Sequence, residues 1–362
     1  MADIELRGVT KRFGDLVAVD RVGLAIEAGE VVCLLGPSGC GKTTTLRMVA
    51  GLETATAGDI LLSGRRVNDL STRERNVAMA FQFYALYPNL TVRENLAFPL
   101  HAEKMAAAEI VGRVNEVAEI LQLSEVLERR PGQLAEGEKQ RVAVGRSIIR
   151  DPTCFLFDEP LSRLDVQLRE TMRGQIKEVL EGLNKATVIV THDQLEALTM
   201  ADRIAVMRDG VIEQVASPHD IFTRPANLFV AGFIGTPQMN LLPARVVGPD
   251  GDGVRFRTGQ QEITLAVDPA VAAMAQDSAV TLGIRPRGFD LASEAGPDTI
   301  AAKTDLIEPM GAETLAHLLD DGRDLRVVYD RRVRLAEGET VHLKFRAGQT
   351  HVFDGGERRV GT

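Results

Sequence analysis

The spacing of apolar and polar positions changes character near residue 235. Before that point, continuous apolar runs, Val-Val-Cys-Leu-Leu at 31–35 among them, alternate with segments of helical spacing. Such runs predict strands that are buried on both faces of a parallel sheet. After that point, short apolar runs such as 263–267 are separated by Gly, Asp and Pro. We therefore expect an α/β domain over 1–235 and a β-rich domain, a small barrel or sandwich, over 236–362.

Residues 36–43 connect the apolar run 31–35 to a helical pattern over 42–50. They read Gly-Pro-Ser-Gly-Cys-Gly-Lys-Thr and match G-x-x-x-x-G-K-S/T, the P-loop, whose backbone N–H groups point at phosphate oxygens. Lys42 is placed to reach the β- and γ-phosphates, and the Thr43 hydroxyl to coordinate Mg²⁺. The expected nucleotide ligands are Gly36, Pro37, Ser38, Gly39, Cys40, Gly41, Lys42, Thr43 and Thr44.

Two more candidate residues lie outside this loop. Phe13 sits in a turn between strand-like segments, where its ring is placed to stack on adenine. Taken alone, Phe13 is better explained as an aromatic residue packed at a sheet edge. Gln82 ends an apolar strand-like run, where its amide is placed to touch Mg²⁺ or the attacking water.

Two further apolar runs end in groups suited to catalysis. One ends in Asp158 and Glu159, placed to hold Mg²⁺ through water and to act as general base. The other ends in His192, placed to hydrogen-bond the γ-phosphate and the Glu159 region. A lone Asp-Glu pair is usually a solvated turn, but after a P-loop and a hydrophobic strand we favour catalysis. The remaining histidines are interpreted as surface or packing residues: His101, His219, His317, His342 and His351.

Between these motifs the pattern changes again. Apolar residues recur at helical spacing through 103–123, which predicts a helix inside a helical subdomain of about 88–150. The preceding segment 84–92 is more aromatic and apolar than a loop without a partner. It indicates either a surface for a partner or a small core beneath the loop.

Composition bounds the class of protein. With 362 residues, the chain is long enough for about two domains. No apolar run approaches the roughly 18 residues of a membrane span, and the N-terminus lacks a signal-peptide pattern. Three cysteines do not form a disulfide framework, which favours a reducing cytoplasm. The net charge of −9 argues against nonspecific nucleic-acid binding, and we expect any membrane role to come through partner subunits.

In this order, the motifs resemble those of the ATPase subunits of ABC transporters. The resemblance covers about 200 residues and several motifs at defined positions. Residues 84–88 and 191–197 look most like the ATPases of sugar and glycerol-phosphate importers, the maltose-importer type, with polyamine and iron importers as alternatives. The motifs are the Phe13 loop, the P-loop, Gln82, a signature helix opening at 134–143, the Asp158-Glu159 strand, a Ser-Arg-Leu-Asp loop at 162–165 and His192.

The resemblance implies a peripheral subunit on the cytoplasmic face of the cell membrane, with ATP and Mg²⁺ as cofactors. Two ATPase subunits would pair head to tail, each ATP lying between one P-loop and the partner's signature, to which Ala135 and Gly137 correspond. Asp165 would cross that interface. Segment 82–92 would receive a helix of the transmembrane permease, and a solute-binding protein would act indirectly. The implied catalytic residues are Glu159, His192, Gln82 and Lys42, and the implied metal ligands are Thr43, Gln82 and Asp158.

The signature segment departs from the family pattern. Family members read Leu-Ser-Gly-Gly-Gln, where this chain reads Leu-Ala-Glu-Gly-Glu at 134–138. Ala135 lacks the hydroxyl that would donate to the γ-phosphate across the interface, a loss of ~1.5–3 kcal/mol. Glu136 brings a carboxylate toward an anionic ligand. We expect a weak contact, and therefore either a slow homodimer or a heterodimer with a second ATPase whose signature is intact.

Toward the C-terminus, segments 282–286 and 308–314 resemble the OB-type regulatory domain of these ATPases, although Arg287 stands where an acidic residue is usual. We favour an importer ATPase for a carbohydrate, polyol or glycerol phosphate. One alternative is a mainly structural nucleotide-binding subunit, which the altered signature favours and the intact Glu159 and His192 oppose. Another is a soluble ABC ATPase of DNA repair or translation. Those typically fuse two ATPase domains or carry coiled-coil or zinc insertions, which this sequence lacks.

Overall fold

The computed structural model describes residues 2–81, 84–102, 105–162 and 166–361. The chain divides into two compact units, Met1–His219 and Asp220–Thr362. The domain boundary that we predict at 235 lies beyond this division, after the short helices Pro218–Thr223 and Leu228–Phe233. The predicted extent of each domain stays a prediction. Among the described helices, none is both long and apolar enough to cross a membrane.

The first unit contains two sheets and the helices packed against them. Its described strands are β1 (Ile4–Phe13), β2 (Leu16–Ile26), β3 (Val31–Leu35), β4 (Ala57–Leu62), β5 (Arg65–Arg66), β6 (Ala78–Ala80), β7 (Phe155–Asp158), β8 (Thr187–Thr191), β9 (Arg203–Arg208) and β10 (Val211–Ala216). Its described helices are α1 (Lys42–Ala50), α2 (Thr72–Arg75), α3 (Val92–Ala102), α4 (Ala107–Ile120), α5 (Glu136–Ile148), α6 (Val166–Leu183) and α7 (Gln194–Met200). Helix α8 (Pro218–Thr223) spans the division between the units.

The larger sheet of this unit has the strand order β10-β9-β3-β8-β7-β6. All neighbouring pairs are parallel except β10 with β9. Every residue of β3 is at most 2% exposed, as its continuous apolar run predicts. The smaller sheet, ordered β2-β1-β4-β5, is antiparallel and shares a hydrophobic core with the larger one. The α/β class predicted for this part of the chain is confirmed.

Helices α3, α4 and α5 contact one another, and the predicted extent of a helical subdomain, about 88–150, stays a prediction. Helix α4 lies within the predicted segment 103–123 and buries Ile110, Val114 and Val117 on one face. That spacing of three and four residues is the helical period that the sequence shows. The predicted helix is therefore confirmed.

The second unit is rich in β-strands. Its described strands are β11 (Asn240–Asp250), β12 (Gly253–Thr258), β13 (Gln261–Leu265), β14 (Ala279–Ile284), β15 (Phe289–Ala292), β16 (Thr299–Met310), β17 (Glu313–Asp320), β18 (Arg323–Asp330), β19 (Thr340–Phe345) and β20 (Thr350–Phe353). They form two antiparallel sheets, β13-β12-β11-β14-β20 and β15-β19-β16-β17-β18. Two short helices, α9 (Leu228–Phe233) and α10 (Pro269–Ala272), flank them.

One hydrophobic core is shared by both sheets of the second unit. Phe289 and Phe345 meet in this core with ring centroids 5.0 Å apart. Arg287, which stands where the family usually has an acidic residue, pairs with Glu313 through its Nε at 3.0 Å. The β-rich character predicted from the short apolar runs is confirmed.

Candidate functional site

The catalytic candidates meet because three parallel strands end at one edge of the larger sheet. β8 lies between β3 and β7, with Leu35 opposite Thr191 and Asp158 opposite Val190. Carboxyl ends of neighbouring parallel strands lie side by side, and ligands of such sheets bind beyond them. The P-loop follows β3, Glu159 follows β7 and His192 follows β8. Residues from three distant parts of the sequence are thereby collected at one place.

The P-loop requires glycine at two positions for steric reasons. A Cβ atom on Gly36 would lie 2.3 Å from the carbonyl oxygen of Met207. Gly41 is the N-cap of α1 with φ +103°, and a Cβ there would lie 2.5 Å from the carbonyl oxygen of Ala18. Both neighbours are backbone atoms, which cannot move aside cheaply. The tight curl of the loop at the start of α1 therefore depends on these two residues.

Lys42 is the first residue of α1 and is only 6% exposed. Its ammonium group donates to the carbonyl oxygens of Gly36 at 2.7 Å and Pro37 at 2.8 Å. The Sγ atom of Cys40 lies 3.7 Å from the same nitrogen. The positive charge is thus held inside the curve of the loop, where an anionic phosphate is best stabilised.

Thr43 and Asp158 connect the P-loop to strand β7. The Thr43 hydroxyl donates to Oδ1 of Asp158 at 3.1 Å. Burial raises the pKa of Asp158, and the charge of Glu159 adds to this effect, while the Thr43 hydrogen bond opposes it. A hydroxyl and a carboxylate side by side are hard oxygen ligands, the type that Mg²⁺ prefers. The donor set therefore fits the ion.

Glu159 and His192 form a direct contact. Oε1 of Glu159 lies 2.9 Å from Nδ1 of His192. The backbone N–H of Glu159 donates to the carbonyl oxygen of Val190 at 2.9 Å, which anchors the residue to β8. Glu159 has a φ of +50°, a left-handed conformation that costs roughly 1–2 kcal/mol for a residue with a Cβ. The fold thus holds this carboxylate in a specific and strained position beside the imidazole.

Several polar residues next to His192 in the sequence or in space were not predicted to take part in the site. Asp193 caps α7 by accepting from the N–H of Leu195 at 2.8 Å, and Arg169 donates to its other oxygen at 3.0 Å. The Thr191 hydroxyl donates to Glu196 at 2.7 Å. The local signal was present, because Asp followed three residues later by Glu is typical of a helix N-terminus. The helix start after His192 was therefore predictable, but the contact from Arg169 was not.

Phe13 is the last residue of β1 and precedes the turn at Gly14. Its ring is 47% exposed, and Nζ of Lys11 lies 4.7 Å from the ring centroid. An exposed face leaves room for a stacked base, so the adenine contact stays a prediction. Two other candidates, Gln82 and Asp165, lie outside the described residues.

The altered signature lies at the start of α5, which Ala135 caps without a side-chain hydrogen bond. The backbone N–H of Ala135 instead donates to Oε2 of Glu138 at 2.7 Å. Nζ of Lys139 lies 3.1 Å from Oε2 of Glu136. The carboxylate of Glu138 thus satisfies a backbone donor, and that of Glu136 has a cation beside it. A Cβ on Gly137 would lie 2.1 Å from Cδ2 of Leu168, so α6 packs closely on this turn.

Segment 84–92 is held by hydrogen bonds from a buried side chain, yet part of its surface remains exposed. Asn95 is fully buried, and its Nδ2 donates to the carbonyl oxygens of Tyr87, Leu90 and Thr91 at 2.9–3.1 Å. The Tyr87 and Phe98 rings pack with centroids 4.4 Å apart, yet they are 38% and 45% exposed. Both interpretations of the segment, a small core and a partner surface, therefore agree with the structure.

A cavity of about 310 Å³ lies beside this segment and has apolar and cationic walls. Phe81 and Ala85 contribute to one side, and Arg146 and Arg150 of the α5 region to another. The Arg146 guanidinium lies 4.7 Å from the centroid of the Tyr87 ring. Burial lowers the pKa of Arg146. The cavity combines apolar surface with positive charge.

Comparison with protein-family models gives three matches. Residues 19–162 match the ABC transporter family, residues 235–287 the MalK OB fold domain and residues 282–353 the TOBE domain. The first match lies in the first unit, and the other two lie in the second.

Curated relatives align over nearly the whole chain. The sn-glycerol-3-phosphate import ATP-binding protein of Cereibacter sphaeroides is 46% identical over 98% of this chain and 98% of its own length. The sulfoquinovosyl glycerol transport ATP-binding protein of Agrobacterium fabrum is 43% identical over 98% of each chain. The lactose transport ATP-binding protein of Rhizobium radiobacter is 42% identical over 99% of this chain and 100% of its own.

Among solved structures, the chain resembles the dimeric ATP-binding cassette MJ0796 in a post-hydrolysis state bound to ADP and Pi. The likeness has a TM-score of 0.54 and 31% sequence identity. It covers 59% of this chain and 98% of the cassette, which is the share expected if the first unit alone is compared.

Proposed function

The chain belongs to the ABC transporter ATP-binding family, and on that premise we propose that it energises uptake of a carbohydrate, polyol or glycerol phosphate. It binds ATP and couples ATP hydrolysis to transport. The solute class is supported by relatives along the whole chain that are named for glycerol-phosphate, sulfoquinovosyl glycerol and lactose transport. These solutes are all small, polar and rich in hydroxyl groups.

The observation that carries the catalytic proposal is the 2.9 Å contact between Glu159 and His192 at the sheet edge that bears the P-loop. Glu159 takes a proton from the water that attacks the γ-phosphorus, as a positioned general base. His192 orients that carboxylate and donates to the γ-phosphate. Lys42 neutralises charge on the transferred phosphoryl group.

Mg²⁺ would be held by the Thr43 hydroxyl and, through water, by the Asp158 carboxylate, two groups that lie 3.1 Å apart. When bound, the ion neutralises charge on the phosphate oxygens. Phe13 stacks on the adenine ring in this proposal, and Gln82 senses the ion or the water.

Two ATPase subunits pair head to tail in this proposal, as supported by the dimeric cassette that the first unit resembles. Each ATP then lies between one P-loop and the partner's signature turn at Ala135 and Gly137. Segment 82–92 and the adjoining cavity receive a helix of the transmembrane permease. The exposed rings of Tyr87 and Phe98 provide the apolar contact. The positive charge of Arg146 favours the C-terminal end of the permease helix or an acidic side chain on it. In this proposal the subunit lies at the cytoplasmic face of the membrane.

A second function is favoured by one observation, the signature turn. Ala135 has no hydroxyl to offer a phosphate across the interface, and the Glu138 carboxylate is occupied by the backbone N–H of Ala135. A subunit with this turn would serve mainly as a nucleotide-binding partner for a second ATPase with an intact signature. The intact pair of Glu159 and His192 opposes this alternative.

The test is the ATPase rate of the purified complex with its permease and solute-binding subunits, titrated with lactose, glycerol and sn-glycerol 3-phosphate. Native mass spectrometry of the same preparation counts the copies of this chain. Stimulation by one solute in a complex with two copies supports the importer proposal. A rate insensitive to every solute, or a second kind of ATPase subunit, favours the alternative.

A further inference from the structure

Lys11 is a buried cation next to Phe13 that the proposed mechanism does not use. The two residues are two positions apart on β1. Lys11 is only 9% exposed, whereas Phe13, at the end of the strand, is 47% exposed. Nζ of Lys11 lies over the Phe13 ring, 4.7 Å from its centroid. At this distance an ammonium group is attracted to the electron-rich face of an aromatic ring, so a cation holds one face of Phe13.

The ammonium group of Lys11 is itself fixed by the segment that follows α1. It donates to Oε1 of Glu53 at 2.7 Å and to the carbonyl oxygen of Thr54 at 2.8 Å. The hydrogen bond from Lys11 is the main reason that the pKa of Glu53 lies below its ordinary value. The N–H of Thr56 donates to the carbonyl oxygen of Thr10 at 2.8 Å, which ties the backbone of the same segment to β1. A long and flexible side chain is thereby held in one place before any ligand arrives.

The ion pair of Lys11 with Glu53 could serve the fold alone, but the contact with the ring has two further effects. Because nearly half of Phe13 is exposed, packing against apolar neighbours holds it less firmly than a buried ring, and the fixed cation restricts its orientation. A cation on one face also draws electron density from the ring. This reduces the repulsion between the other face and the π-face of a stacked base.

We propose that Lys11 is a positioning residue for the base of ATP, which holds the Phe13 ring by one face and leaves the other face free for adenine. The inference rests on the proposed contact between Phe13 and adenine. Lys11 acts through the ring, so it contributes to the affinity for the base and not to the affinity for the triphosphate. The chemical step, which depends on Glu159, should not require it.

Equilibrium dialysis of the full chain with MgATP and with magnesium tripolyphosphate tests this role. Tripolyphosphate carries three linked phosphate groups but has no base to stack. Lys11→Met keeps the apolar stem of the side chain and removes the charge. It should weaken ATP binding about threefold or more and leave tripolyphosphate binding unchanged. A variant that only disturbs the fold would bind both ligands less well. Unchanged ATP binding, or an equal loss for both ligands, overturns the proposal.

A double-mutant cycle with Phe13→Ala links the cation to the ring. In the Phe13→Ala background, Lys11→Met should cause no further loss of ATP affinity, because no ring is left to hold. An equal loss in both backgrounds means that Lys11 acts independently of Phe13, which also overturns the proposal. Lys185→Met is the matched control. It removes a lysine of the same unit that pairs with Asp151 at 2.9 Å, and it should bind ATP as before.

Steady-state ATPase kinetics separate a failure of this inference from a failure of the proposed function. Lys11→Met should raise KM for ATP and leave kcat at saturating ATP unchanged. A lowered kcat with an unchanged KM contradicts the positioning role. If Phe13→Ala alone leaves ATP affinity unchanged, the adenine contact is wrong and the role of Lys11 falls with it. If Phe13→Ala weakens ATP binding and Lys11→Met does not, the adenine contact stands and only the role of Lys11 is wrong.

Discussion

Oε1 of Glu159 lies 2.9 Å from Nδ1 of His192, although the two residues are 33 positions apart in the sequence. The contact arises because β7 and β8 are parallel neighbours whose ends coincide. The backbone N–H of Glu159 also bonds to β8, so the pair is fixed by the sheet and by the side chains together. If Glu159 is the general base that we propose, its carboxylate is already in position before any substrate arrives.

Glu159→Gln should lower the ATPase rate at least about 100-fold, because the amide cannot accept the proton of the attacking water. ATP affinity, measured by equilibrium dialysis, should change little because the P-loop is untouched. The control is Glu170→Gln, the same chemical change at an exposed position of α6. A Glu159→Gln variant that hydrolyses ATP at the normal rate would remove Glu159 as general base.

Asp158→Asn should raise the Mg²⁺ concentration for half-maximal ATPase activity at least about tenfold, because an amide is a poorer partner for the ion's water ligands. A titration of activity with MgCl₂ at constant ATP measures the effect. Asp151→Asn, at an exposed carboxylate that pairs with Lys185, should leave the titration curve unchanged. An unchanged curve for Asp158→Asn would assign the ion to other ligands.

The double change Ala135→Ser with Glu136→Gly should increase the ATPase rate of the assembled transporter, because it restores a donor and removes a like charge at the partner's nucleotide. The single change Ala135→Ser separates two effects. A serine at this N-cap should stabilise α5 by about 1 kcal/mol, visible as a higher melting temperature of the isolated chain. If the double variant is no faster than the original transporter, the signature turn does not limit turnover.

Arg146→Ala should weaken assembly with the permease subunits. The guanidinium lies over the Tyr87 ring and donates a hydrogen bond to the carbonyl oxygen of Ala85, so its loss should loosen the proposed docking surface. The fraction of chain that co-purifies with the permease from membranes measures the effect. Arg65→Ala removes a charge from an exposed position on β5 and should co-purify normally. Equal recovery of both variants would exclude a role of this cavity wall in docking.

His351 should make the free energy of unfolding depend on pH between 4 and 6.5. Its folded pKa of about 4 lies below the ordinary 6.5, so in this window the unfolded chain binds more protons. Stability therefore falls as the pH drops from 6.5 toward 4, by up to about 3 kcal/mol from this residue. Burial is the main cause of the lowered pKa, the charges of Arg359 and Arg285 add to it, and Arg224 and Asp268 line a cavity together with His351.

Urea unfolding at pH 7 and pH 5 measures this contribution. His351→Gln should lose less stability between the two pH values than the original chain, whatever its absolute stability. His101→Gln, at an exposed position, should keep the original pH dependence. Identical pH dependence of all three chains would show that His351 is not responsible.

Much of the fold follows from local pattern. Three local patterns each predict an element that the structure contains: the apolar run 31–35, the glycines of the P-loop and the helical spacing in α4. They do so because residues close together in the sequence determine whether a strand or one face of a helix can be buried. The ends of β3, β7 and β8 were equally visible, and a parallel sheet brings them together. The candidate site at these ends was therefore largely predictable.

The remaining features depend on contacts between distant residues. Arg169 reaches Asp193 across 24 positions, and no local pattern encodes that pairing. The left-handed backbone of Glu159 was also not predicted, because glutamate has no preference for that conformation. The contact between Lys11 and Glu53 was missed for the same reason as that pairing, since the two residues are 42 positions apart. The periodicity of the sequence cannot show which side chains from distant segments meet in the folded chain.

Asn95 binds the backbone of segment 84–92 from below with both of its amide atoms. A consequence is that this surface has its shape before a partner arrives. A loop that becomes ordered only on contact loses conformational entropy at that moment, which reduces the affinity. Here that loss has already occurred during folding of the chain, so a partner that docks on this surface would not lose affinity to the ordering of the segment.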